Sequence, residues 1–536
     1  MSLRGGTVAA LVLAPHWTSL LPPLATIVVS LAAKQVVLAL LAGLWAGAWL
    51  LHGNPLVAFL RSVDTYALEA MADPEHAGIL IFTLLLGGAI GVIQKTGGSL
   101  GLARAFGPLA RTRKRAAATT FGLSSLIFFD DYSSVLIVGN SLRKPIAAAG
   151  LSLQKFALIV HAMATCVASL SPVSSWTGLQ LGYVAGAVAA AGLSGQIDGF
   201  SMMLATIPYR LLPMLFIALI GYSIVSGKDI GAVADAEALS VAGMADPSAV
   251  ADPAEVEGTG PLDPKPGTPL RMLNALIPFG AIIVTAFAGM LIDGAIKLGP
   301  AAQGAGIFGR LAACDSVRAL IWASLAGTGS AVGLALAQRI LTVQEALTAW
   351  MDGMKEVLEP CVILTLAWAL GAVIADVKAA AFLASMLQGG LPQWALPPLL
   401  SLVCYAMSYA TGSAAGTMGV VFPLAAPLAA SLSGGNLDFV KNCFGAILGS
   451  SLFGNICSPI ADTTIMTSLS TKISVPAHVA GITPYTALVG AVAVGANLLL
   501  SLGLVGPAGA TFCGLAALGV ASTRFRSAEP NKLRSA

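Results

Sequence analysis

The sequence predicts an all-α polytopic membrane protein made of two inverted repeats. Each repeat holds a re-entrant helical hairpin and a broken transmembrane helix. Three observations predict it. The chain is 57% hydrophobic and only 10% charged over 536 residues, whereas a soluble globular chain carries about 25% charged residues. Apolar runs of about 17–25 residues, long enough to cross a bilayer, recur along its length. Two of these runs are interrupted by the same kind of polar cluster, SPVSSWTG at Ser171–Gly178 and SPIADTTI at Ser458–Ile465. The expected total is about 11 crossings plus the two hairpins.

Each interruption begins Ser-Pro. Proline has no amide hydrogen, and its ring clashes with the carbonyl four residues back, so each helix should break there. A break at membrane depth frees backbone carbonyls and amides. Such backbone persists only where it is buried in protein or lines a cavity.

Composition excludes several classes. A net charge of +3 gives no nucleic-acid footprint, because the basic residues fall in loops between spans. The seven cysteines show neither zinc nor disulfide spacing and read as small buried hydrophobes. No catalytic Ser-His pair or metal-ligand set is recognisable, so an enzyme is not expected, and no cofactor is expected. The N-terminus lacks a cleavage pattern, and its first apolar segment should stay as a span. The expected location is the cell membrane, multi-pass.

The elements follow in order. Trp17–Leu31 and Gln35–Leu51 are two short apolar segments separated by Lys34. Asn54–Glu75 is amphipathic, and Ala77–Ile93 spans. The loop carrying Lys95, Arg104, Arg111, Arg113, Lys114 and Arg115 is cytoplasmic by the positive-inside rule. Ala116–Leu142 is apolar, has Asp130 and Asp131 at its middle, and is flanked by bases at both ends. It reads as a hairpin with its tip at Phe129–Tyr132, the alternative being a single crossing against the charge rule. Lys155–Leu193 crosses outward, broken at Ser171–Thr177, and Leu204–Val225 returns. Lys228–Leu270 is a polar connector rich in Asp, Glu, Pro and Gly, expected to be flexible.

The second half repeats this order. Arg271–Ile292 and Val317–Ala337 span, Ile340–Glu359 is amphipathic, and Cys361–Ala375 spans. Trp394–Leu432 is a second hairpin broken at Tyr409–Ser413. Asn442–Leu469 crosses, broken at Ser458–Thr464. Pro484–Val505 and Ala508–Val520 follow, and a basic tail ends inside. Arg310 and Arg318 are the main exceptions to the charge rule. The domain division is 1–227 and 271–483 for the repeats, 228–270 for the connector, and 484–536 for the extra spans and tail. An odd number of crossings between the copies inserts them oppositely. Inverted repeats with discontinuous helices are the signature of secondary transporters.

Four separated motifs carry a family resemblance: FFDDYSSVLIVGNSLRKP (Phe128–Pro145), the break at Ser171–Gly178, ATGSAAGTMGVVFPLAAPLA (Ala410–Ala429) and CSPIADTTI (Cys457–Ile465). Together they resemble the NhaC-like Na+/H+ antiporter family of the ion transporter superfamily, from about Gln35 to about Gly490. The resemblance implies a scaffold and a transport part, with each hairpin tip and its neighbouring break forming one half-site. It also implies elevator-like movement of that site. The family pattern carries an acid and a histidine where this chain has Asn455 and Ile456.

Hard cations take carbonyl, hydroxyl and carboxylate oxygens. The candidate cation and proton ligands are Asp130, Asp131 and Ser133 at the first tip, and Ser169, Ser171, Ser174 and Thr177 at the first break. In the second half they are Gly412, Ser413 and Thr417 at the tip, and Asn455, Ser458, Asp462, Thr463 and Thr464 at the break. Asp131 and Asp462 are the expected transient sodium ligands. Acids inside apolar segments cost about 2.5–3.5 kcal/mol each and are functional candidates by default. Each carboxylate could instead cap a helix N-terminus. His161 reads either as a packed, hydrogen-bonded side chain or as a proton relay, while Asn140 and Trp176 read as structural. The expected partners are sodium ion, proton and the bilayer, with no nucleic acid; a homodimer is compatible with the sequence. The expected activity is Na+/H+ exchange, the alternative being a sodium-coupled carrier of an organic anion or amino acid.

Overall fold

A computed structural model describes residues 16–33, 35–244, 261–303, 306–379, 382 and 392–527. Lys34, the middle of the connector and the tail bases Lys532 and Arg534 lie outside the described residues. The described chain is helical apart from one two-stranded ribbon, β1 (Lys228–Asp229) with β2 (Arg526–Ser527), paired antiparallel.

Among the described residues, seven helices are long and apolar enough to span, and one further pair counts as a bent span. In the first half the chain runs α1 (Leu21–Ala33), α2 (Val36–His52), α3 (Pro55–Arg61), α4 (Leu68–Ala72), α5 (Pro74–Lys95) and α6 (Gly98–Phe106). The first helix pair is α7 (Arg113–Leu126) and α8 (Asp131–Ala148), followed by α9 (Leu153–Leu170) and α10 (Ser175–Ala190) on either side of the first break. Then come α11 (Gly199–Ala205), α12 (Leu211–Ser226) and the connector helix α13 (Gly231–Val241).

The second half runs α14 (Leu273–Leu298), α15 (Gly306–Ala313), α16 (Ser316–Ala337), α17 (Val343–Glu356) and α18 (Leu358–Asp376). The second helix pair is α19 (Leu396–Thr411) and α20 (Ala414–Ser433). The second broken helix is α21 (Leu437–Ser450), α22 (Leu452–Cys457) and α23 (Asp462–Thr471), bent by 45° between Cys457 and Asp462. Two last helices, α24 (Val475–Ser501) and α25 (Pro507–Ala521), close the fold.

Local chemistry fixes these boundaries. Asp73 caps α5 by accepting the amides of Glu75 and His76, and Thr342 with Glu345 forms a capping box on α17. The two breaks fall at Ser-Pro, as the missing proline amide requires. The return expected at Leu204–Val225 is in fact two helices. Pro208 lies between them in a short 3-10 turn, and α12 restarts only after Arg210. The late span is longer than the 484–505 expectation, because α24 starts at Val475 and runs through Pro484.

Packing divides the chain. Helix α14 lies along α16, and α5 packs against both α16 and α17. The α5–α17 contact is backbone to backbone: a Cβ on Gly91 would sit 2.4 Å from the Ala349 carbonyl, and one on Gly353 2.3 Å from the Gly87 carbonyl. Glycine is required there for the helices to approach. Helix α9 is enclosed by α7, α8, α12, α13 and α24.

The connector is built into the fold at its ends. At α13, Glu237 pairs with Arg113 and accepts the Ser152 amide at 2.8 Å. Asp229 pairs with buried Lys155 at 2.7 Å and accepts the Tyr485 hydroxyl at 2.8 Å. One exception to the charge rule also has a partner, since Arg318 pairs with the buried Asp293 carboxylate at 2.9 Å.

Candidate functional site

Each helix pair seats its tip on one break. At the first, the Ser175 amide donates to the Phe129 carbonyl at 2.7 Å, and the Ser175 hydroxyl donates to the Asp130 carboxylate at 2.9 Å. At the second, the Ser458 hydroxyl donates to the Tyr409 carbonyl at 2.8 Å, and the Gly454 amide donates to the Ser408 hydroxyl at 2.9 Å. Gly412 takes the left-handed conformation at φ 68°, and a Cβ there would sit 2.9 Å from the Ala461 amide. A Cβ on Gly454 would meet the Ser408 backbone at 1.8 Å. The second tip and second break therefore touch through bare backbone.

A cavity of 1230 Å³ joins the two half-sites. Asp130, Asp131, Tyr132, Ser175 and Trp176 line it from the first, and Gly412, Ser413, Asn455 and Asp462 from the second. The wall between is α5 and α17, through Gly87, Gly91, Gly353 and Glu356. Burial first, then the charges of Asp130 and Asp352, hold the Glu356 carboxyl above its ordinary value of 4.5. The cavity runs on past Arg104 to residues 261–268 of the connector. That segment is held by Lys95, which donates to the Pro261 carbonyl at 2.8 Å, and by the Lys265–Glu345 ion pair.

Six of the residues singled out from the sequence thus meet at one cavity: Asp130, Asp131, Gly412, Ser413, Asn455 and Asp462. The first-break hydroxyls turn inward to their own backbone. Ser169 donates to the Cys166 carbonyl, Ser174 to the Ala168 carbonyl at 2.7 Å, and Thr177 to the Ser171 carbonyl. The Ser171 hydroxyl bridges the amide and carbonyl of Val173. Thr417 donates to the Ser413 carbonyl and Thr463 to the Asn455 carbonyl, both at 2.8 Å. The Thr464 hydroxyl and the Asn455 side-chain amide are buried without a partner. Ser133 lies on α8, and its side chain is outside what is described.

His161 is fully buried and sits behind the second break. Its Nε2 meets the Asn455 carbonyl at 3.1 Å, and its Nδ1 meets Nε2 of His478 at 2.8 Å. A carbonyl only accepts, so His161 Nε2 carries the hydrogen. With a neutral ring, Nδ1 then accepts from His478.

Trp176 and Asn140, read as structural, both line the cavity. The structure also adds Gln94, Arg143, Glu356 and Lys472 to the lining. Arg210 had a usable signal, an arginine in an apolar segment. His478, near the start of α24, had none.

Comparisons with known proteins agree with this architecture. A Haemophilus influenzae protein described only as uncharacterized is 25% identical over 487 residues, 88% of each chain. Two solved transporters share the fold at 15% identity. The Alcanivorax borkumensis YdaH transporter has a TM-score of 0.54 and covers 91% of this chain and 99% of its own. Neisseria gonorrhoeae MtrF has a TM-score of 0.51 and covers 82% and 84%. The profile described as Na+/H+ antiporter family matches residues 167–504, from the last turn of α9 through both breaks to just past α24. This multi-pass membrane protein is a secondary transporter, and it belongs to the Na+/H+ antiporter family.

Proposed function

We propose that the chain exchanges sodium ions for protons at the cavity between the two half-sites. One observation carries this reading. Asp131 and Asp462, from opposite halves of the chain, line one cavity together with Asn455, and the Thr464 hydroxyl, two residues beyond Asp462, is buried without a partner. A carboxylate in such a place holds either a proton or a cation, and that competition obliges exchange: the site returns loaded with whichever ion won on each side. The two helix pairs are read as re-entrant hairpins and the two halves as inverted copies. Movement of the tips and breaks along α5 and α17 then exposes the site alternately. In this reading Asp130, Ser133, Thr417, Ser458 and Thr463 shape the site, and Ser169, Ser171, Ser174 and Thr177 hold the first break in form. His161 holds the Asn455 carbonyl.

The test is a pH-gradient assay in vesicles containing the purified chain, with sodium, lithium and potassium in turn. Proton movement driven by a sodium gradient supports the reading, and its absence ends it. A second reading has its own support. The cavity, at 1230 Å³, far exceeds the needs of one ion, and Arg143 and Lys472 line it. Those features suit a sodium-coupled carrier of an organic anion or amino acid. Solute flux that needs sodium, without sodium-driven proton movement, selects it.

A further inference from the structure

The two breaks are not chemically equivalent. Each proline leaves one carbonyl without its amide, Ala168 at the first break and Asn455 at the second. Ala168 accepts the Ser174 hydroxyl at 2.7 Å. The next carbonyl, Ser169, accepts the Gln180 side-chain amide at 3.0 Å and the Arg210 guanidinium at 2.8 Å.

Arg210 is 2% exposed. Its other bonds go to Gln180 Oε1 at 2.7 Å, the Met203 carbonyl at 3.0 Å and the Thr206 hydroxyl at 3.0 Å. Among the described residues no carboxylate forms an ion pair with it. A buried charge is costly unless paired or richly hydrogen-bonded. Here neutral oxygens and the C-terminal end of α9 hold it, and that end carries partial negative charge and favours a cation.

At the second break the Asn455 carbonyl is likewise satisfied, by the Thr463 hydroxyl at 2.8 Å and His161 Nε2 at 3.1 Å, but among the described residues no guanidinium or ammonium group bonds to it. The Asn455 amide, 8% exposed, and the Thr464 hydroxyl, fully buried, have no partner. Ser134 and Thr165 also keep unpartnered buried hydroxyls, but neither stands at a helix end freed by a proline. Only the second break brings its own acid, Asp462; the first has Ser175 in the matching place, already bonded to Asp130.

We infer that the Arg210 guanidinium is a built-in cation occupying the first break, so that the protein binds one alkali cation per chain, at the second. This rests on the sodium-exchange reading and sharpens it to a stoichiometry. The position an ion would take against the Ser169 carbonyl is filled by a guanidinium that never leaves. The oxygens left for a transported ion are the side-chain oxygens of Asn455, Asp462 and Thr464 at the second break, the Asn455 carbonyl being taken by Thr463 and His161, with the tip residue Ser413 and the first-tip carboxylates across the cavity.

The experiment is equilibrium binding of radioactive sodium to the purified full-length chain. One sodium per wild-type chain is expected, and two would overturn the inference while leaving exchange intact. Arg210→Gln, checked for folding by size exclusion, should bind two per chain with a steeper sodium dependence, whereas Arg210→Lys should stay at one. A folded Arg210→Gln protein that still binds one overturns the built-in cation. Thr464→Val should weaken sodium binding at least tenfold, and unchanged affinity overturns the second-break assignment. Should Arg210→Gln fail to fold, the wild-type count and Thr464→Val still decide. One bound sodium without sodium-driven proton movement ends the exchange reading and leaves this inference standing.

Discussion

The Ser175 hydroxyl donates to the Asp130 carboxylate at 2.9 Å, which ties the tip between α7 and α8 to the first break. Its backbone amide adds a second tie, to the Phe129 carbonyl. Ser175→Ala keeps the backbone tie and removes the charged one. A hydrogen bond to a charged group contributes about 1.5–3 kcal/mol. The variant should melt at a lower temperature in detergent, and sodium-driven proton flux should fall several-fold. Unchanged melting and flux would show that the bond is incidental.

Asp131→Asn and Asp462→Asn remove the two carboxylates proposed to trade a proton for a cation. Each variant should lose sodium-driven proton movement in proteoliposomes while eluting as a folded protein. Full exchange in both would strip these residues of the assigned role.

Gly454→Ala addresses the close approach at the second half-site. The new methyl would lie 1.8 Å from the Ser408 backbone, so α19 and α22 must separate. Overpacking of this kind costs about 1–3 kcal/mol, occasionally more. The expected result is lower thermal stability together with lost sodium binding. A variant with native melting temperature and native sodium affinity would mean that the two helices do not need this contact.

The connector segment over the cavity responds to acid through Glu345. Its hydrogen bond to Lys265, with help from Thr342, holds its carboxyl down from 4.5 to about 2. A carboxylate lowered in the folded state contributes fully above pH 4.5 and is lost as pH falls towards 2. Hydrogen exchange in residues 261–270 should therefore stay slow from neutral pH down to about pH 5 and quicken below 4.5. Glu345→Gln should exchange quickly already at pH 7. Equal protection in mutant and wild type would show that Lys95 and packing hold the segment unaided.

Much of this site was legible in the sequence because proline and charge are loud in an apolar chain. Pro172 and Pro459 placed both breaks, and Asp130, Asp131 and Asp462 stood out as acids at membrane depth. What stayed hidden depends on which way a side chain turns. Ser171, Ser174 and Thr177 looked as good as Asn455 and Thr464. Only the fold shows the former closing on their own carbonyls and the latter left open. Trp176 read as structural because an indole in an apolar run gives no hint that it faces a cavity. Residues 228–241 read as loose polar chain because Asp229 and Glu237 reveal nothing of Lys155 and Arg113.

The glycine seam between α5 and α17 has a mechanical consequence. Gly87, Gly91 and Gly353 bring the two backbones together with no room for a methyl between them. The pair is thereby held at one separation and stands beside the cavity as a single stiff slab. Any side chain placed in the seam would act as a wedge, prising the slab open and changing the width of the chamber it borders.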